Sequence, residues 1–229
     1  MKHAGALALL LFAAFLAGCR EQSNNTAVMG GYGHHAPAEA PLPTLSDAQG
    51  RIIPAPAAPA GARPQMVRSG DEQALAAWIA DEHAVVSMWT PATQWTAPQP
   101  LERIYGESSN VQLASNGAGR AIAVWHHRVG NIHSLRFSVL GPQGWSLPDV
   151  VPGALPRPEP TGAPPGKDAL HLQMDAQGNV VAQWPSGFQA NEMQVARYTA
   201  GEGWTRAASE PVGSAQNASP PPRAPSSAP

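Results

Sequence analysis

Apolar residues gather in three short runs that each end in tryptophan: Ala74-Leu75-Ala76-Ala77-Trp78, Ala121-Ile122-Ala123-Val124-Trp125 and Val180-Val181-Ala182-Gln183-Trp184. Two residues before each indole is alanine (Ala76, Ala123, Ala182), and three before it is a branched aliphatic (Leu75, Ile122, Val181). Apolar character that continues instead of alternating predicts strands covered on both faces, with alanine letting a neighbouring sheet approach closely. Ahead of two runs stand tight-turn sequences, Asn116-Gly117-Ala118-Gly119 and Asp175-Ala176-Gln177-Gly178, in which Asn or Asp starts the turn and Gly accepts a positive φ. Each therefore predicts a hairpin, with residues 111–114 and 170–174 as the preceding strands. The first unit departs from this, with residues 65–67 as its strand and Ser69-Gly70-Asp71-Glu72 at its turn.

A second tryptophan recurs downstream, at Trp95, Trp145 and Trp204, and six residues before it stands a bulky group: Trp89, Val139 and Tyr198. The residues between are turn formers, which predicts a second hairpin joining a third strand to a fourth. Three units of four short antiparallel strands follow, the first tryptophans lying 47 and 59 residues apart. Leu45-Ser46-Asp47-Ala48-Gln49-Gly50-Arg51-Ile52-Ile53 repeats the turn pattern once more and reads as a decayed hairpin of a fourth unit.

Ahead of these units lies a different pattern. Residues 6–16 are an almost unbroken apolar run behind Lys2, too short for a membrane span of ~20 residues but suited to a signal-peptide core. The run closes on Leu16-Ala17-Gly18-Cys19, which resembles the lipobox of bacterial lipoproteins. Cys19 is the sole cysteine, so no internal disulfide explains it. The resemblance implies cleavage before Cys19, acyl chains on its thiol and new N-terminus, and a mature chain held at a membrane in the cell envelope. Arg20 follows the cysteine where aspartate marks inner-membrane retention, so in a Gram-negative cell the expectation is the outer membrane, facing the periplasm or the surface.

Composition divides the rest. Nineteen of the 25 prolines lie in residues 20–64, 152–166 and 211–229, while all seven tryptophans lie between these stretches. Proline-rich segments with few large apolar groups bury too little surface to offset the entropy of ordering. The expected organisation is a signal peptide over 1–18, a lipidated tether over 19–63, two repeat units over 64–151, a proline-rich linker over 152–167, a third unit over 168–212 and a disordered tail over 213–229. Lys+Arg 14 against Asp+Glu 16 leaves a net charge of -2, so no basic field exists to attract nucleic acid.

The run from Asp175 to Trp184, with Val195-Ala196-Arg197-Tyr198 and Gly203-Trp204, is similar to the repeats of bacterial secreted β-propeller-like proteins. The resemblance covers residues 64–212 and implies an all-β fold of three four-stranded blades, an open or incomplete propeller since rings usually close with four or more. Exposed sheet edges in such a stack predict a protein partner, a homo-oligomer, or cover by the proline-rich arms.

Candidate chemistry is sparse. No Gly-x-Ser-x-Gly, His-Glu-x-x-His or phosphate-loop sequence occurs. The eight histidines include His34-His35 and His126-His127 but show no three- or four-ligand spacing, so neither metal nor cofactor is expected. The Ser46-Asp47 pair lacks the spacer of the Ser-x-Asp-x-Gly box of sialidases. Recurrent placement assigns most indoles to core packing; Trp89, whose counterparts are not tryptophan, is the indole to choose for ligand contact. His126 and His127 close a strand and point to opposite faces, so one of them is expected to be exposed for contact. These features favour a non-enzymatic binding or scaffolding domain. A polysaccharide- or peptidoglycan-directed hydrolase is the alternative, with Glu102, Glu107 and Asp149 the inter-strand carboxylates available for a pair.

Overall fold

The structure, a computed structural model, describes residues 44–156, 170–186 and 192–211. All regular structure among them is β. A hairpin of β1 (Leu45–Ser46) and β2 (Ile52–Ile53) precedes three sheets. The first holds β3 (Gln65–Gly70), β4 (Gln73–Ala80), β5 (His83–Thr90), β6 (Gln94–Trp95) and β7 (Gln99–Pro100). The second holds β8 (Glu107–Ser115), β9 (Ala121–Val129), β10 (Ile132–Gly141), β11 (Gly144–Trp145) and β12 (Asp149–Val150). The third holds β13 (His171–Met174), β14 (Val180–Pro185), β15 (Glu192–Thr199), β16 (Gly203–Trp204) and β17 (Ala208–Pro211). In each sheet both terminal segments pair antiparallel with the third strand, so they form one outer strand in two pieces and each sheet is a four-stranded blade.

The interruption has a repeated cause. Thr96, Ser146 and Thr205 follow the second tryptophans, and their hydroxyl oxygens accept the backbone N–H of Met88, Val139 and Arg197 at 3.1, 3.1 and 3.0 Å. The side chain thus takes a donor that the strand would otherwise bond through its carbonyl. Pro98 and Pro148, lacking an N–H, stand two residues further on. Such broken outer strands offer only short runs of free backbone groups.

The repeat alignment holds with one correction. Trp95 pairs with Trp89 and Trp204 with Tyr198, but Trp145 pairs with Leu140, not with the expected Val139. The loop here has two residues, Pro142 and Gln143, against three in the other blades, which shifts the count by one. The corrected register is supported by small side chains: Ser87 and Ser138 hold equivalent positions and donate to the Thr96 and Ser146 carbonyls at 2.7 and 2.8 Å.

The blades stack in chain order. Ala121, Ala123 and Trp125 of β9 face the first blade, packing with Leu75, Ala77, Val86 and Leu113. Ile122 and Val124 face the third, packing with Val180, Ala182 and Trp184. Trp78, Trp125 and Trp184 are almost wholly buried, each directed at the preceding unit. For Trp78 the covering surface comes from Ala58 and Ala62, with Trp95 alongside. Residues 44–63, the end of the segment read as a tether, are thus ordered against the first blade.

The turn prediction holds in detail. Asp47, Asn116 and Asp175 each accept two backbone N–H groups, two and four residues on, at 2.8–3.1 Å. This is an Asx turn, in which the side chain replaces a backbone acceptor. Successive turns also touch: Ala48 N–H donates to Asp71 O, Gly119 N–H to Ser69 O, and Asn116 Nδ2 to Ala176 O. The turns closing the first two strands of every unit therefore lie at one end of the stack, and the links between units lie at the other.

Candidate functional site

At the link end, a buried group of titratable side chains forms where the first blade hands over to the second. After β7, Leu101 donates its N–H to Ala84 O and is buried, which draws Glu102 inside. The chain then loops over the end of β9 and returns as β8. Glu102, Ser108 and His127 are all buried. The Ser108 hydroxyl donates to Glu102 Oε1, and Ser108 Oγ lies 3.3 Å from His127 Nδ1. On the other side of the ring His127 Nε2 is 3.1 Å from the Tyr105 carbonyl, which can only accept, so Nε2 carries a proton. Gly106 lies on the ring face with φ +124. Burial lowers the pKa of His127; the Glu102 carboxylate opposes this, while Arg136 and His83 add to it. At pH 7 the imidazole is neutral, and its Nδ1 lone pair faces Ser108.

The order of the three groups decides what they can do. An activated serine needs the imidazole between hydroxyl and carboxylate, so that the base takes the hydroxyl proton. Here serine sits in the middle, its proton is directed to the carboxylate, and its oxygen is buried. The arrangement instead ties the link to β9: the Tyr105 carbonyl accepts from His127 Nε2, Gly106 lies on one face of the ring, and Ser108, bonded to Glu102, stands beside Nδ1. Glu102 Oε2 and Arg136 Nε are buried and without a hydrogen-bond partner among the described residues, so the cluster is polar but not saturated.

The residues selected from sequence fall as follows. His126 and His127 do point to opposite faces, but both faces are covered, so the expected exposed member does not exist: they are 7% and 3% exposed. The link covers His127, and His126 follows Ile122 and Val124 in alternation toward the third blade. Burial, with a smaller contribution from the charge of His133, lowers the pKa of His126 to about 4. Trp89 is also buried, 6% exposed, against Ile53 and Ala74, because the β1–β2 hairpin covers it. Its Nε1 donates to Gln94. Among the described residues the most exposed aromatic is Tyr105, displayed by the link that holds His127.

Among the three nominated carboxylates, Glu102 is buried, Glu107 is exposed and ion-paired with Arg128, and Asp149 Oδ1 accepts from the N–H of Val150. Ser108 and Tyr105 were not singled out from sequence; the spacing of Glu102 and Ser108 on either side of a Tyr-Gly pair is the only local sign of them. No group of three or more His, Cys, Asp or Glu among the described residues could hold a metal ion. Cys19 lies outside the described residues, as do His34 and His35.

No protein-family model matches the chain, and no curated protein matches it. Among solved structures it is similar to a K499G mutant of NanB sialidase from Streptococcus pneumoniae, with a TM-score of 0.43 and 11% sequence identity, over 70% of this chain and 26% of that one. The likeness spans about a quarter of the sialidase. The architecture rests on the chain itself: an all-β stack of four-stranded antiparallel blades of the propeller type.

Proposed function

We propose that this chain is a lipid-anchored protein of the bacterial envelope whose stack of blades is a binding or scaffolding module, not a catalyst. The observation that carries the reading is Leu16-Ala17-Gly18-Cys19 behind the apolar run, with the only thiol of the sequence at the point where acyl chains attach. Two or more acyl chains anchor stably, where one gives only marginal binding. Three observations in the fold support a non-catalytic role. Ser108, His127 and Glu102 are engaged in holding a link, Trp89 and the repeat indoles pack in or against the core, and Tyr105 in the link between the first two blades is exposed. Loops on a rigid β scaffold are where such folds bind partners. A protein partner or a second copy is the ligand class proposed, at the outer membrane if the cell is Gram-negative.

The test is metabolic acyl labelling of wild type and Cys19→Ala, followed by separation of inner membrane, outer membrane and soluble fractions. Label and membrane association are expected in the wild type and lost in the variant. A variant that still partitions to membrane, or a wild type that takes no label, overturns the anchor.

A further inference from the structure

The far face of the third blade is buried although no blade follows it. Val181 holds the place of Leu75 and Ile122, three residues before the first tryptophan of its unit, and points away from the second blade because its neighbours Val180 and Ala182 point toward it. Leu75 is covered by the second blade and Ile122 by the third, and they are 1% and 0% exposed. Val181 and Val195 are each 1% exposed, yet Met193 is the one described hydrophobic residue packed against the two. A sheet face is buried by a layer set on top of it. Such a layer has to stand where a fourth blade would.

Strand pairing defines what it meets. Gln173, Val181 and Arg197 form one row of this face and Gln183, Val195 and Ala208 the next, with Met193 opposite Glu210. Arg197 and Glu210 are ion-paired at 3.5 Å along the outer side. Apolar side chains bordered by amide and guanidinium N–H donors suit an apolar ribbon that offers carbonyl oxygens. A proline-rich segment is such a ribbon, because its preferred polyproline geometry leaves little entropy to lose on docking. The first blade shows the chain using one: Ala58 and Ala62 of the proline-rich stretch 54–62 pack with Trp78, and Trp95 Nε1 donates to the Pro54 carbonyl at 2.7 Å.

Connectivity selects the segment. Ala154 and Leu170, on either side of residues 157–169, both pack in the core between the second and third blades, so that linker starts and ends on the wrong side of the sheet. The chain before residue 44 joins at the first blade, the other end of the stack. Residues 212–229 follow β17, whose Glu210 already borders the valine face. They are eighteen residues that include Pro220-Pro221-Pro222. In polyproline geometry that length reaches about 55 Å, against roughly 15–20 Å for the width of a four-stranded sheet. We infer that residues 212–229 fold back over Val181 and Val195 and cap the third blade as residues 44–63 cap the first. The stretch that composition alone casts as a free tail then has a structural use. Both faces that could accept another blade are filled by the chain itself, so the stack ends at three and a second copy cannot extend it blade on blade.

The experiment replaces Gln173, at the exposed margin of this face, with the photo-crosslinker p-benzoylphenylalanine in the full chain, and Ala118 as a control. Unlabelled and isotope-labelled protein are mixed, so that mass spectrometry tells adducts within one copy from adducts between copies. The expected result is an adduct from position 173 to residues 212–229 of the same copy, and none to them from position 118. Adducts to 157–169, adducts to a second copy, or no adduct to 212–229 overturn the cap. Hydrogen exchange then compares the full chain with one that ends at Pro211. Amides of β14 and β15 should exchange about tenfold faster or more in the shortened chain, because two valines lose their cover, while β4 and β5 are unchanged. Equal exchange in the two proteins overturns the cap. If the shortened chain loses protection in every blade, the crosslinking result decides alone.

Discussion

Gly106 gives the sharpest test of how the two blades are joined. A Cβ at this position would stand 2.5 Å from the Arg128 carbonyl oxygen and 2.7 Å from both Cε1 and Nε2 of His127. Neither neighbour can yield freely, since Arg128 is paired in the β8–β9–β10 ladder and the ring is buried and held through Nε2 by the Tyr105 carbonyl. In Gly106→Ala the loop must lift, which breaks the bond from Nε2 to the Tyr105 carbonyl and leaves a buried donor without its partner. That loss costs about 1–3 kcal/mol. Holding an L-residue at so unusual a φ costs about 1–3 kcal/mol more. The expected destabilisation is about 2–6 kcal/mol, a large part of the 5–15 kcal/mol typical of a folded domain. Urea unfolding followed by tryptophan fluorescence reads it directly. Gly117→Ala is the control, with φ +69 but nothing within 4 Å of a Cβ, and only the dihedral cost of about 1–2 kcal/mol is expected. If Gly106→Ala loses no more than Gly117→Ala, the link is not held around His127 as described.

Two further outcomes follow from buried side chains. His126, with a pKa near 4 in the fold against 6.5 in the unfolded chain, makes the unfolded state the stronger proton acceptor between those values. Stability is then complete above pH 6.5 and falls as pH drops toward 4, by about 3 kcal/mol for this group. His127, also lowered, acts in the same direction, so His126→Leu should flatten but not abolish the acid slope of denaturant midpoints. A slope unchanged by that substitution counts against the burial of His126. Trp89→Ala should cost about 3–5 kcal/mol as a core truncation, measured by the same unfolding curves. A change under about 1 kcal/mol would return Trp89 to the surface.

The sequence carried the repeat because its period is written in residues with one structural use. Tryptophan that reaches the preceding blade, alanine that admits a neighbour and Asx that closes a turn each leave a fixed mark. Insertions are harder to see, and a two-residue loop at Pro142 and Gln143 was enough to move Val139 out of the place that Leu140 occupies. Burial of Trp89 was not legible because it depends on a hairpin some forty residues upstream. The histidine pair shows the limit of alternation, which gives the direction of a side chain but not what covers it. His127 is covered by a link with no regular structure, and no period in the sequence announces Glu102, Ser108 and Tyr105 converging on one ring.

On the proposed lipid anchor, the split outer strands have a consequence for life at high surface density. A protein fixed to a membrane meets its own copies far more often than one in free solution, and a long continuous strand at its rim would let every encounter begin a shared sheet. Thr96, Ser146 and Thr205, each bonding its own third strand through a hydroxyl, interrupt that rim once per blade. Neighbours that meet along this outer rim then find only short pieces of strand to pair with, which leaves the first strands β3, β8 and β13 as the longer sheet edges.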